Sequence, residues 1–74
     1  MKVYKLNLGV GIAMFAAEDT IEVLYLMAKH SDLKYMFRGV SAKDILKDVE
    51  EIPGYTISGK PGVIAFYREW SHFM

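Results

Sequence analysis

The sequence contains no cysteine, which excludes disulfides, zinc ribbons, redox pairs and a thiol nucleophile. It also has no excess of one charge, because nine basic residues balance nine acidic ones. A neutral chain exerts no long-range attraction on phosphates, so nucleic acid is a disfavoured partner. The longest stretch without a charged residue, Leu6 to Ala17, is too short to cross a bilayer. We therefore expect a cytoplasmic protein that does not associate with membranes.

The composition is typical of a folded domain, since 53% of the residues are hydrophobic and 24% are charged. A chain of 74 residues has room for one α+β domain, covering residues 1–74. Folding at this size removes only about 60% of the chain's surface from water, so the stability should be marginal. Burial against a partner would add to it.

The first part of the chain has the pattern of a β-hairpin. Residues Lys2 to Leu8 alternate between apolar and polar side chains, as in a strand with one wet face. The glycines of Gly9-Val10-Gly11 permit a tight turn. Residues Ile12 to Ala17 are apolar on both faces, which predicts an interior strand.

A helix should follow, from Thr20 to His30. Asp19 has the position of an N-cap and Glu22 follows three residues later. One apolar arc has helical spacing and is expected to pack on the sheet: Ile21, Leu24, Tyr25 and Ala28. A second set then faces outward, and it consists of Val23, Leu26 and Met27.

The middle of the chain indicates a third strand and a second helix. Residues Leu33 to Arg38 alternate and predict a strand. Ser41, with Asp44 after it, resembles an N-cap for a helix starting at Ala42. Its apolar stripe extends to Ile52, although residues 48–52 could instead enter a strand, and Pro53-Gly54 ends it.

The last third predicts a second hairpin. Its strands are Tyr55 to Ser58 and Val63 to Trp70, joined by Gly59-Lys60-Pro61-Gly62. The complete order is β-β-α-β-α-β-β. We therefore expect a two-layer α+β fold with two helices on one face of a mostly antiparallel sheet.

The layout of the first 30 residues also resembles that of a group of bacterial proteins. Its features are the strand Val3-Tyr4-Lys5-Leu6-Asn7-Leu8, a second strand ending in Ala16-Ala17-Glu18-Asp19, and the helix that follows. This arrangement is similar to small uncharacterised bacterial proteins with a β-hairpin followed by a helix. The resemblance implies a cytoplasmic protein and assigns no functional residue.

Two glycine motifs and two histidines do not make a catalytic site. The string from Gly54 to Lys60 has the spacing of a phosphate-binding loop, but Pro61 stands where the magnesium-binding hydroxyl belongs. Gly9 and Gly11 lack the third glycine of a dinucleotide fingerprint. His30 and His72 are too few for a histidine metal site. We predict no catalytic residue, cofactor or metal, and therefore no enzyme.

The excess of apolar residues favours a non-enzymatic interaction or accessory module instead. The candidate interaction surface comprises Val23, Leu26, Met27, Trp70 and Phe73. We expect a homodimer or another protein partner to cover it, although the C-terminal tail could cover the helix of its own chain. The alternative function is a sheet that binds single-stranded nucleic acid through basic and aromatic residues: Lys2, Tyr4, Lys34, Tyr35, Phe37, Arg38, Tyr67 and Arg68.

Overall fold

The computed structural model describes residues 1–9 and 11–68. Within them, two strands are followed by three helices and then by two more strands. In these residues the elements are β1 (Lys2–Asn7), β2 (Gly11–Ala17), α1 (Thr20–Lys29), α2 (Ser31–Met36), α3 (Ala42–Asp48), β3 (Val49–Thr56) and β4 (Gly62–Arg68). The α+β class is confirmed. The order is β-β-α-α-α-β-β, so the predicted order is wrong. Within the same residues, no helix is long and apolar enough to cross a membrane.

The N-terminal hairpin is confirmed. Strands β1 and β2 pair antiparallel, with Lys2 opposite Ala17 and Asn7 opposite Ile12. The backbone N–H of Leu8 donates to the carbonyl of Gly11 at 2.9 Å. Gly9 has a φ of +83°, a conformation that costs glycine little because it has no Cβ. The turn residues therefore determine where this hairpin closes.

The predicted C-terminal hairpin is wrong, because β3 and β4 lie at opposite edges of the sheet. The strand order is β3-β1-β2-β4, and every pairing is antiparallel. Residues 57–61 cross the end of the first hairpin, from Thr56 opposite Lys2 to Gly62 opposite Ala16. Three inter-strand spacings amount to about 14 Å, which five extended residues can span. Each edge of the β1–β2 hairpin thus gains a partner strand.

The segment predicted as a third strand is helix α2. His30 caps this helix, because its Nδ1 accepts a hydrogen bond from the N–H of Leu33 at 3.4 Å. Leu33 is buried and Tyr35 is exposed, although alternation would place both on one face of a strand. The alternation therefore gave the wrong prediction for this segment. In a helix, Leu33 can be buried in the core cluster while Tyr35, two residues later, points to solvent.

Helix α1 begins as predicted, with the Asp19 carboxylate accepting from the N–H of Glu22 at 2.9 Å. Its predicted inward face is wrong. Val23 is 0% exposed and Met27 is buried, whereas Ile21 is 64% exposed. Tyr25 is also exposed, and the Lys29 ammonium lies 4.7 Å from the centre of its ring. The apolar residues of α1 form two overlapping arcs, and the arc without a tyrosine hydroxyl is the one that is buried.

Helix α3 ends before the apolar stripe that was predicted for it, which extends to Ile52. The Ser41 hydroxyl caps it by accepting from the N–H of Asp44 at 3.2 Å, as predicted. The helix ends at Asp48, and Val49 pairs opposite Leu6 in the sheet. The open alternative for residues 48–52 is therefore decided in favour of a strand from Val49 onward. Pro53 and Gly54 lie inside β3 rather than ending a helix.

The core forms between the helices and one face of the sheet. Alternation along β1 and β2 places five of the buried sheet residues on the side that faces the helices. The cluster consists of Tyr4, Leu6, Ala13, Phe15 and Ala17 from the sheet with Val23, Met27, Leu33 and Ile45 from the helices. The opposite side of the sheet faces no helix among the described residues, and the candidate functional site lies there.

Candidate functional site: the open face of the sheet

Strand register defines a second face of the sheet, which we call the open face. Its members point away from the core cluster: Val3, Lys5, Asn7, Ile12, Met14, Ala16, Glu50, Ile52, Tyr55, Ile57, Ile64, Ala65 and Tyr67. Most of these side chains are apolar or aromatic. Sheets with one solvated face normally carry polar residues there, so the composition of this face is unusual.

Two irregular strand pairings give the open face a groove. In β3, four residues fit between Glu51, opposite Tyr4, and Thr56, opposite Lys2, so the strand bulges outward. Gly54 lies in this bulge with a φ of +84°. In β4, Val63 is opposite Phe15 and Ala65 is opposite Met14, so Ile64 between them is an extra residue. Bulges bend and twist a strand, so the two edges rise beside a lower centre.

The groove has a volume of about 450 Å³ and is mostly apolar. It is lined by Val3, Met14, Ile52, Tyr55, Ile57 and Ile64. Val3 is buried at its base, because β1 is an interior strand with neighbours on both sides. Tyr55 and Ile64 are exposed at the rim. The main chain of Ile57 is held by two hydrogen bonds to Met1, of 2.8 and 2.9 Å.

Apolar exposure continues beyond the groove toward the hairpin turn. Ile12 and Tyr67 are directly opposite each other in the β2–β4 pairing, and both are exposed. Together with Tyr55 and Ile64 they place four large hydrophobic side chains in water on one surface. Scattered exposed hydrophobic residues are ordinary, but a contiguous group is typical of an interaction site.

The charge on the open face is balanced. The Lys5 ammonium lies 3.7 Å from the Glu50 carboxylate, and both side chains are partly exposed. A pair so exposed contributes little to stability. It does leave the face with one charge of each sign and no net charge.

The side chains of the open face are mostly apolar. Its side chains include no histidine and no paired carboxylates that could transfer a proton. In residues 1–9 and 11–68, no group of three His, Asp or Glu side chains is placed to hold a metal ion. What the face can supply is apolar area, two tyrosine rings and one ion pair.

The structure removes the predicted surface on α1. Val23 and Met27 lie in the core and offer no side chain to a partner, whereas Leu26 is half-buried and packs against the core cluster. Trp70 and Phe73 lie outside the described residues. The first helix exposes Ile21 and Tyr25 instead of the predicted residues, and the sheet exposes four large hydrophobic side chains: Ile12, Tyr55, Ile64 and Tyr67.

The basic and aromatic residues proposed for nucleic-acid binding do not share a sheet surface. Lys34 and Tyr35 lie on α2, with Phe37 and Arg38 just after it. Tyr4 is buried in the core. Lys2, Tyr67 and Arg68 lie on strands of the sheet. A stacking platform needs exposed rings side by side with cations, and this set is divided among the helical side, the core and the sheet.

One signal in the sequence did point to the open face. Residues Ile12 to Ala17 are apolar on both sides of the strand, and only one side is needed for the core. The contribution of β3 had no such signal, because Pro53-Gly54 is typical of a chain break rather than of a bulge.

Comparison of the chain with protein-family models, with curated proteins and with solved structures finds no match. Its function is therefore inferred from the geometry and chemistry of the open face.

Proposed function

We propose that this chain is a non-enzymatic interaction module and that the partner on its open face is a second copy of the chain. The observation that supports this is the exposure of Ile12, Tyr55, Ile64 and Tyr67 on one face, which also contains an apolar groove. Burying these side chains removes apolar area from water, which is the main driving force of association. A small domain of marginal stability gains most from such burial.

The balanced charge of the chain favours a second copy over a strongly acidic or strongly basic partner. The formal net charge is zero, so two copies do not repel each other at long range. Lys5 and Glu50 place one cation and one anion on the face. In a two-fold interface every contact occurs twice. If the Lys5 of one copy pairs with the Glu50 of the other, the symmetry-related pair forms as well.

The size of the face sets the expected affinity. Four strands about 4.8 Å apart and about 20 Å long cover a footprint of roughly 400 Å² per copy. Two such faces stacked about 10 Å apart bury a total area of about 800 Å², which is typical of weak, transient interfaces. We therefore expect a reversible dimer with a dissociation constant in the micromolar range.

Light scattering over a dilution series tests this proposal with a matched pair of variants. Ile64→Glu places a charge on the open face, at a side chain that is already exposed. Ile21→Glu makes the same change at an exposed position in the first turn of α1, away from the sheet. We expect the parent and Ile21→Glu to form dimers at high micromolar concentration and Ile64→Glu to stay monomeric.

A parent protein that remains monomeric at several hundred micromolar contradicts the proposal, as does an Ile64→Glu variant that still dimerises. Binding of mixed single-stranded oligonucleotides with a steep salt dependence would favour the nucleic-acid alternative instead. The ion pair of Lys5 with Glu50 disfavours that result, because it leaves the open face no net positive charge for a phosphate.

A further inference from the structure

A second cavity lies on the other side of the molecule, between the three helices. Its volume is about 340 Å³, within the range of small-molecule sites. Buried side chains from each helix form its base, namely Met27, Leu33 and Ile45. Phe37 adds an aromatic wall. The open face of the sheet takes no part in this cavity, so the inference below is independent of the proposed function.

The charged residues of this cavity are all of one sign. Of the side chains that line it, Lys34 and Arg38 are charged and none is acidic. Lys34 lies in α2 and Arg38 in the turn that follows it, and both side chains line the cavity. Both are exposed, so their charged ends lie at the opening rather than in the apolar base. Neither forms an ion pair with a carboxylate of the described residues.

We propose that this cavity binds a small amphipathic anion, an alkyl carboxylate of medium chain length. The apolar base would take the alkyl chain, and the ammonium of Lys34 and the guanidinium of Arg38 would take the carboxylate. A guanidinium offers two parallel N–H donors that match the two carboxylate oxygens. The Arg38 guanidinium also lies 5.5 Å from the centre of the Tyr35 ring, which limits its freedom before the ligand arrives.

Titration of the whole protein with straight-chain ligands tests the tail and the headgroup separately. The probes are decanoate, hexanoate, neutral decanol and decyltrimethylammonium, and methyl resonances of the methionines report where each binds. Met27 lines this cavity and Met14 lines the groove of the open face, so the two locations give different signals. We expect decanoate to shift the Met27 methyl and leave Met14 unchanged. Each added methylene should tighten binding about three- to fourfold.

Variants then assign the roles of the residues. Arg38→Gln should weaken decanoate binding about tenfold or more and change decanol binding less than about twofold. Ala28→Leu, at an exposed position on the cavity wall, should weaken both ligands because it fills the space of the tail. Lys60→Gln is the matched control, since it removes a lysine charge in a turn outside the cavity and should change neither.

Three results would each overturn the proposal. The first is no binding of decanoate at 1 mM, a concentration roughly a thousand times the dissociation constant of a micromolar site. The second is equal binding of decyltrimethylammonium, which has the opposite charge. The third is a shift at Met14 rather than Met27, which would locate the ligand on the open face.

Discussion

The orientation of helix α1 can be tested by truncating one residue from each of its apolar arcs. Val23→Ala removes two methyl groups from a side chain that is 0% exposed, whereas Ile21→Ala removes three carbons from one that is 64% exposed. Amphipathic spacing alone predicts the opposite ranking, with Ile21 inside and Val23 outside. The pair therefore separates the observed orientation from the predicted one.

The expected magnitude follows from what each side chain buries. Two buried methyl groups account for about 1.6 kcal/mol of lost transfer free energy, and a cavity of roughly 50 Å³ adds about 1 kcal/mol. Val23→Ala should thus lower the free energy of unfolding by about 2 to 3 kcal/mol. Ile21→Ala should cost less than about 1 kcal/mol, because most of its side chain already contacts water. Alanine raises helix propensity at both sites by a few tenths of a kcal/mol, so this contribution largely cancels in the comparison.

Urea and thermal unfolding followed by circular dichroism measure both values. A domain of this length is expected to have about 4 to 11 kcal/mol of stability, so Val23→Ala should remain folded. Its melting temperature should fall by roughly 10 to 20 °C. If Ile21→Ala proves more destabilising than Val23→Ala, the buried face of α1 has been assigned incorrectly.

Two further predictions follow from the corrected elements. In helix α2, Leu33→Ala should cost about 2 to 5 kcal/mol because Leu33 is fully buried, and exposed Tyr35→Ala should change stability by less than about 0.5 kcal/mol. Equal losses in urea unfolding would instead indicate that both residues share one face, as in a strand. ATP or GTP with Mg²⁺ should not raise the melting temperature, because Pro61 replaces the hydroxyl that a phosphate-binding loop needs. A concentration-dependent rise that Lys60→Ala abolishes would contradict this.

Features set by neighbouring residues could be predicted from the sequence. The Asp19 and Ser41 caps are correct, because a cap is a hydrogen bond between residues three apart. The first hairpin is correct because its turn is encoded by adjacent glycines. Each of these interactions joins residues that are close in sequence, so contacts with the rest of the fold change them little.

The α2 segment shows where local patterns fail. Leu33, Tyr35 and Phe37 are spaced two residues apart, with the charged Lys34 and Arg38 among their neighbours, which is the signal of a strand. The structure instead uses a helix, capped by the side chain of His30, with Leu33 in the core. Six residues are too few for either periodicity to dominate, so tertiary packing decides between them.

The sequence by itself determined the α+β class, the first hairpin and the starts of helices α1 and α3, because these depend on short-range hydrogen bonds and composition. Tertiary structure alone decided which arc of α1 is buried and that β3 and β4 lie on opposite edges. It also created the open face, since Ile52 and Ile64 come together across the sheet only through that strand order. Pairing partners distant in sequence are chosen by the total apolar area that the whole chain buries, and no local window of residues contains that quantity.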